Sequence, residues 1–258
     1  LCAFPASVFL GAPYSESLFL AASVGAFYAA RTGHWAAAGA AAAAASATRS
    51  AGVLLLVPLA ILYWQGTEPG HRLRPHLAWL ALAPGGLVAY AAYLAVAHGD
   101  PLAFSSAQEL WSRHFAGPFV GAWDGLVAAF EGARQLGSGS RETVYFADAG
   151  GDPFRVAAIN LMLFGSLVFA AIASLGVLRR LPFAYGAYVV VALAVPLSYP
   201  VGPQPLMSLP RFLVVLFPVF MWMGVACAER GNTARVAAAS ALGLGLFTAQ
   251  YATWYFIA

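Results

Sequence analysis

Glu16 is a carboxylate at the start of an apolar stretch, directly after Tyr14 and Ser15. A charged side chain at the edge of a bilayer is costly unless it has a partner or a function. Two arginines, Arg49 and Arg211, also stand where apolar stretches begin or end. A guanidinium keeps its charge and offers a planar set of donors that fits a carboxylate or a phosphate. These residue types predict an acid–arginine site at one end of a bundle of apolar helices.

The composition indicates a membrane protein. Of the 258 residues, 61% are hydrophobic and 9% are charged, whereas a soluble domain carries about 25% charged residues. The basic residues are all arginines, scattered between apolar stretches, so the net charge of +3 does not indicate a nucleic-acid partner. Cys2 and Cys227 are far apart and form no metal-binding motif, so neither a metal ion nor a cofactor is predicted.

Apolar stretches between short polar turns predict an all-α, polytopic helix bundle of about eight membrane segments in a single transmembrane domain, 1–258. The predicted segments are about 16–30, 35–47, 53–64, 77–97, 154–178, 183–199, 209–227 and 234–256. Residues 1–13 are interrupted by two prolines and are expected to be the end of a helix followed by an irregular segment. Stretches of about 15 residues are short for a bilayer core of about 30 Å, and their small residues predict close helix packing.

The arginines predict an orientation. They recur in the short loops, which by the positive-inside rule face the cytoplasm, while the long, acidic loop 98–152 lies outside. Between Glu16 and Arg49 the chain crosses inward and returns, so both are expected close together on the external side. The residues expected on that rim are Tyr14, Ser15, Glu16, Arg49, Ser50, Trp111, Arg113, His114 and Arg211.

Local chemistry leaves two interpretations of this rim open. Arg49 and Arg211 could bind the phosphate of a lipid whose tail stays in the membrane, with Trp111 and tyrosines stacking on a sugar. Alternatively, Glu16 and Arg49 form a structural ion pair, and Arg211 extends its charged end to the interface. His114 is interpreted as a loop residue. The sequence has no glycine-rich phosphate loop and no Ser-His-Asp set.

Four short motifs resemble one known family. FPASVF at 4–9 leads into APYSESLF at 12–19, and TRSAG follows at 48–52; WSR at 111–113 and SLPRF at 208–212 are weaker matches. This pattern resembles the PIG-V family, the second mannosyltransferase of GPI-anchor biosynthesis, and its bacterial relatives. The specific part of the resemblance lies in the first third of the chain.

The resemblance implies a GT-C glycosyltransferase that is a multi-pass protein of the bacterial plasma membrane, or of the endoplasmic reticulum in eukaryotic relatives. It implies an external or lumenal active site and a polyprenyl- or dolichyl-phosphate-mannose donor. The acceptor is a glycolipid or glycan. The catalytic Asp of such enzymes belongs to a Trp-Asp motif expected before Leu1, so this stretch alone is expected to be inactive. Asp124, in the Trp-Asp dipeptide of the long loop, is not assigned that role.

On this interpretation Arg49 and Arg211 hold the donor phosphate. Tyr14, Ser15, Glu16, Ser50, Trp111 and Arg113 are then further substrate-binding candidates, with Glu16 supporting the missing base. Three alternatives stay open: a GT-C enzyme for another lipid-linked sugar, a transporter or flippase with the rim as its vestibule, and a structural, non-catalytic membrane subunit. A flippase is expected to carry polar residues partway along several segments, whereas here the polar residues gather at one end.

Overall fold

The computed structural model describes residues 1–66, 75–107, 113, 115–146 and 152–253. Every regular element in these ranges is a helix, which confirms the all-α prediction. The α-helices are α1 (Val8–Gly11), α2 (Glu16–Arg31), α3 (Trp35–Thr48), α4 (Leu56–Gly66), α5 (Gly85–His98), α6 (Ala103–Ser106), α7 (Pro118–Ser138), α8 (Pro153–Arg180), α9 (Phe183–Leu197), α10 (Leu209–Val214), α11 (Phe217–Glu229) and α12 (Thr233–Ala252). The 3₁₀ helices Pro5–Ser7, Ser50–Leu55 and Pro75–Leu82 precede α1, α4 and α5.

Each predicted apolar segment corresponds to a helix or to consecutive helices, but few of them are long. Within the described ranges, α8 is the one helix long and apolar enough to cross a membrane. The pair Pro75–Leu82 and α5, bent by 45°, gives a second candidate if it forms one span. Shorter apolar helices occupy Ser50–Gly66, Phe183–Leu197 and Phe217–Glu229. A 15-residue helix is about 23 Å long, less than a bilayer core of about 30 Å, so helix length does not establish eight spans.

Residues 5–11 are helical and residues 12–15 are not, which agrees with the expected helix end followed by an irregular segment. Pro5 is the first residue of the 3₁₀ helix Pro5–Ser7, where a missing N–H breaks no helical hydrogen bond. This helix continues into α1 and packs against α12. The Phe4 ring contacts the rings of Phe169 and Phe220, with centroids 5.8 and 5.2 Å apart. The segment is therefore fixed to the bundle directly before the turn that leads to Glu16.

The hairpin of α2 and α3 positions the first half of the site. Its turn contains Gly33 at φ +79°, a left-handed conformation that favours glycine. The Thr32 hydroxyl donates to the carbonyl oxygens of Tyr28 and Ala29 at 3.0 and 3.1 Å and so caps the C-terminus of α2. Because α3 consists almost entirely of alanine, neighbouring backbones approach it closely. A side chain at Gly86 of α5, for example, would collide with the α3 backbone.

The predicted external loop 98–152 contains helices, and more than half of its described residues are helical. It contains α6 and the 21-residue helix α7. Small residues on one face of α7 allow direct backbone contact: Gly121 lies against the Leu197 carbonyl and Gly132 against Ala157. These contact points are close to the end of α9 and the start of α8, so α7 runs across those helix ends. The polar and charged residues of α7 led the sequence-based prediction to overlook this face.

A cluster of aromatic side chains fixes α2 to the second half of the bundle. The Phe27 ring contacts Tyr185, Tyr188 and Phe217, with centroids 5.0, 5.4 and 5.0 Å apart. Phe27 and Tyr188 are almost fully buried. Aromatic pairs at these separations add about 0.5–1.5 kcal/mol each beyond the burial of their area. The cluster therefore sets α2 and its first residue, Glu16, relative to α9 and α11.

Candidate functional site

Glu16, the first residue of α2, is fully buried at 0% exposure. Its Oε1 accepts hydrogen bonds from Arg211 Nε at 2.8 Å and Nη2 at 2.6 Å. The same oxygen accepts from Arg49 Nη1 at 3.1 Å. The predicted proximity of Glu16 and Arg49 is therefore confirmed, and Arg211 joins them. We refer to Glu16, Arg49 and Arg211 as the acid–arginine cluster.

Three separate elements bring this cluster together. Glu16 lies at the N-terminal end of α2, where the helix dipole favours a negative charge. Arg49 follows the last residue of α3 in an extended conformation, with φ −149° and ψ 138°. Arg211 belongs to α10, which follows Ser208 in a left-handed conformation at φ 69°. That conformation is uncommon for a residue other than glycine, and it directs the chain into the turn that carries Arg211.

Aromatic rings pack against both guanidinium groups. Arg211 Cζ lies 4.4 Å from the ring centroid of Tyr14 and 5.4 Å from that of Phe9. Arg49 Cζ lies 4.9 Å from the ring centroid of Phe212. Cation–π contacts of this kind contribute about 0.5–2 kcal/mol, with the larger values where water is excluded. Each arginine is thus held between the Glu16 carboxylate and at least one ring.

A cavity of about 930 Å³ adjoins the cluster. Its polar lining includes Ser15, Thr48, Arg49, Ser50 and Arg113, whereas Glu16 and Arg211 are not part of its wall. The apolar lining consists mainly of Phe104 of α6, Phe115 three residues before α7, Val195 and Pro196 of α9, Tyr199 just after α9, and Phe212 of α10. A cavity with this lining can hold an anionic group together with an apolar or sugar moiety.

The cavity carries excess positive charge. Among the described residues around the cavity, Arg49, Arg113 and Arg211 are accompanied by one carboxylate, Glu16, which leaves a formal surplus of two positive charges. Arg113 makes no hydrogen bond or ion pair with the described residues, and its Nε is buried without a partner. Burial, followed by the positive charge of Arg211, lowers the pKa of the Arg113 guanidinium from its ordinary value. An anion in the cavity would oppose both effects.

The Arg49 guanidinium is subject to opposing influences. Burial lowers its pKa from the ordinary value and is the largest effect, while the Glu16 carboxylate acts in the opposite direction. The charge of Arg211 lowers the pKa of Arg49 further. Glu16 also keeps a second oxygen, Oε2, that is buried without a hydrogen-bond partner among the described residues.

Most of the sequence-predicted site residues lie in one place. Ser15, Arg49, Ser50 and Arg113 line the cavity, and Tyr14, Glu16 and Arg211 lie behind its wall. Trp111 and His114 fall outside the described residues. Sequence reasoning did not single out Phe104, Phe115 or Tyr199. The signal available for Tyr199 was its position at the end of a predicted segment on the rim side.

Asp124 does not line this cavity. It lines a second cavity of about 530 Å³ with Glu131, Tyr145 and Pro203, between α7 and the segment after α9. In the described part of the chain, no group of three or more His, Cys, Asp or Glu side chains could hold a metal ion.

The chain matches no model of a protein family, and neither the curated proteins nor the solved structures give a significant match. The acid–arginine cluster and its cavity are therefore the basis on which a function can be argued.

Proposed function

We propose that this chain belongs to a membrane-embedded GT-C mannosyltransferase that takes its sugar from a polyprenyl- or dolichyl-phosphate-mannose donor. The observation that carries the proposal is the acid–arginine cluster, in which a buried carboxylate holds two arginines beside a cavity with surplus positive charge. The motifs that resemble the PIG-V family include Glu16, Arg49 and Arg211, so chemistry and resemblance agree on the same residues.

The lining of the cavity favours a phosphate that bears an apolar tail. Arginine and hydroxyl donors suit phosphate oxygens, and Arg49 and Arg113 stand on the same wall as Thr48 and Ser50. Phenylalanine, valine and proline side chains make up most of the remaining lining, in which Ser105 and Tyr199 carry hydroxyl groups. An isoprenoid chain matches these apolar surfaces better than the base and ribose of a nucleotide, which need several hydrogen-bond partners.

The proposal includes a polytopic arrangement of about eight membrane segments with the site on the external side. Two features support it. The acid–arginine cluster lies where α2 and α10 begin, whereas the exposed ion pair between Arg180 and Glu229 joins the far ends of α8 and α11. Arg179, Arg180 and Arg230 at those far ends satisfy the positive-inside rule if they face the cytoplasm. The enzyme would act in a bacterial plasma membrane, or in the endoplasmic reticulum for a eukaryotic relative.

In the proposed reaction an acceptor hydroxyl attacks the anomeric carbon of mannose from the face opposite the phosphate. The new bond joins the acceptor oxygen to that carbon, and the bond from carbon to phosphate oxygen breaks with its electron pair on the phosphate. A carboxylate accepts the hydroxyl proton; the resemblance implies an Asp upstream of Leu1 for this role. Glu16 is poorly suited to it, because it is fully buried, does not line the cavity and is paired with two arginines.

The test uses the full-length protein in membranes, with radiolabelled polyprenyl-phosphate-mannose as donor and extracted glycolipids as acceptors. We expect Arg49→Ala to reduce mannosyl transfer by about 10- to 100-fold, the loss of one charge-assisted hydrogen bond of about 1.5–3 kcal/mol. Arg180→Ala is the matched control, because its ion pair with Glu229 is exposed and remote from the cavity. Unchanged mannosyl transfer by a normally expressed Arg49→Ala protein would refute the proposal that Arg49 binds the donor phosphate.

The alternatives give different results in the same membranes. Transfer from polyprenyl-phosphate-glucose or -arabinose, but not from the mannose donor, would replace the sugar and keep the enzyme class. Movement of the labelled lipid between leaflets with no transfer to any acceptor would refute the transferase and favour a flippase. Equal transfer from GDP-mannose after removal of lipid donors would refute the lipid-phosphate donor.

A further inference from the structure

The three arginines near the cavity differ in what they contact, and this difference separates their roles. We propose that Arg113 and Arg49 contact the phosphate of the ligand, whereas Arg211 is a positioning residue that acts through Glu16. The inference rests on the proposed function only for the identity of the ligand. It departs from the sequence-based expectation, which assigned the phosphate to Arg49 and Arg211.

Two nitrogens of Arg211 are hydrogen-bonded to Glu16. Its Nε and Nη2 both donate to Glu16 Oε1, and its guanidinium lies close to the rings of Phe9 and Tyr14. Arg211 is not part of the cavity wall. A phosphate would have to displace the carboxylate to reach these donors. Since Glu16 is fully buried, such a displacement would leave an unpaired charge inside the protein.

Arg49 is placed between the carboxylate and the cavity. A single nitrogen, Nη1, donates to Glu16, and no other hydrogen bond of its guanidinium is formed with the described residues. Its side chain lines the cavity beside Thr48 and Ser50. Because the ring of Phe212 limits its movement, the remaining donors of Arg49 stay near the cavity. Arg49 can therefore bind a phosphate while Glu16 still neutralises part of its charge.

Arg113 is the strongest indication of an anionic ligand. It lines the same cavity and has no acidic partner among the described residues, and its buried Nε has no acceptor. A half-buried cation without a counter-charge is costly, and the neighbouring charge of Arg211 adds to that cost. A phosphate between Arg113 and Arg49 would supply the missing acceptor and neutralise the surplus charge.

The aromatic wall specifies what the phosphate carries. Phe104, Phe115 and Phe212 line the cavity together with Val195. Free phosphate would leave these surfaces in contact with water, whereas a phosphate ester with an isoprenoid chain would cover them. At about 25 cal/mol per Å² of apolar area removed from water, this burial favours the lipid over the free ion. Both sources offer the same phosphate chemistry, so the test compares them directly.

The experiment measures binding to the purified full-length protein in lipid nanodiscs, with polyprenyl phosphate and inorganic phosphate as separate probes. We expect Arg113→Gln to weaken binding of polyprenyl phosphate by about 10- to 100-fold. Its melting temperature without ligand should be no lower than that of the parent, because the change removes a half-buried charge that has no counter-charge among the described residues. We expect Arg211→Met to lower the melting temperature instead, because it removes two hydrogen bonds from a buried carboxylate. Arg134→Gln is the matched control: Arg134 stacks on Tyr145 at 4.2 Å and is not on the cavity wall.

Two results would overturn the inference. One is unchanged affinity of Arg113→Gln for polyprenyl phosphate. The other is an Arg211→Met protein that melts normally but binds the lipid weakly. Equal affinity for inorganic phosphate and for the lipid would overturn the tail-binding part. If binding depends on Arg113 while no sugar is transferred from any donor, the inference stands and the proposed function fails.

Discussion

The acid–arginine cluster makes a quantitative prediction about stability. Glu16→Gln keeps the shape of the side chain but removes the negative charge that two arginines share. Glu16 is fully buried, and the side chains of Arg49 and Arg211 are only 16% and 22% exposed. Removing one partner of a buried ion pair costs about 3–5 kcal/mol, since the remaining charge stays uncompensated. At about 2–4 °C per kcal/mol for domains of 150–250 residues, the melting temperature should fall by about 6–20 °C.

A double-mutant cycle separates this effect from a general loss of packing. Arg211→Met alone leaves Glu16 with Arg49 at 3.1 Å, so its cost should be smaller than that of Glu16→Gln. The double variant Glu16→Gln/Arg211→Met also removes Arg211, which is one of the two arginines that Glu16→Gln leaves without a carboxylate partner. The two changes should therefore compensate in part, with an interaction energy of about 0.5–3 kcal/mol.

The assay is thermal unfolding of the full-length protein in detergent, followed by intrinsic fluorescence for all variants in one buffer. Repeating it at high salt tests burial, because a solvated pair would be screened and a buried pair would not. Strictly additive changes in melting temperature would refute the coupling. A Glu16→Gln protein that melts within about 1 °C of the parent, less than the shift expected for 1 kcal/mol, would refute the claim that the carboxylate neutralises buried arginines.

Two further predictions concern α7. Gln135 is fully buried, its Nε2 donates to two backbone carbonyls of the turn after α7 at 2.8 and 2.9 Å, and its Oε1 accepts from a backbone amide at 3.1 Å. Gln135→Leu should lower the free energy of unfolding by about 1–3 kcal/mol and speed hydrogen exchange in that turn. Unchanged hydrogen exchange would contradict this prediction. Gly121→Leu should separate α7 from the end of α9 and lower the resistance of the protein to protease, because a side chain there collides with the Leu197 carbonyl. Gly137→Leu is the control, because a side chain at Gly137 has no neighbour within 4 Å. Equal protease resistance of the two variants would contradict the contact between α7 and α9.

The sequence predicted the hairpin and the pairing of Glu16 with Arg49 because both depend on short-range information. Apolar stretches and their polar turns are visible in the chain, and two consecutive antiparallel helices necessarily return to the same side. The approach of Arg211 was suggested only by counting segments, which is a weaker argument. Its hydrogen bonds to Glu16 depend on the left-handed Ser208 and on the break between α10 and α11, and neither has a clear signature in the sequence.

The cavity and α7 could not be predicted in the same way. The rings of Phe115 and Tyr199 lie 5.7 Å apart although one precedes α7 and the other follows α9. Such contacts arise from how distant helices pack, which periodicity does not encode.

For α7 a signal was present: Gly121, Gly125, Ala128 and Gly132 recur every three or four residues on one face. Its charged residues obscured this pattern in the average hydrophobicity.

The described contacts also explain why a carboxylate is buried beside a cavity that we propose binds an anion. Without Glu16, Arg49 and Arg211 would repel each other, and neither guanidinium would have a fixed orientation. With Glu16 in place, Arg211 is held by two nitrogens and Arg49 by one, and the remaining donors of Arg49 stay at the cavity. The carboxylate thus reduces the positive charge at the site but fixes the orientation of both arginines. A phosphate ligand would gain more from an oriented Arg49 than from a mobile one, because the entropic cost of ordering this side chain has been met during folding.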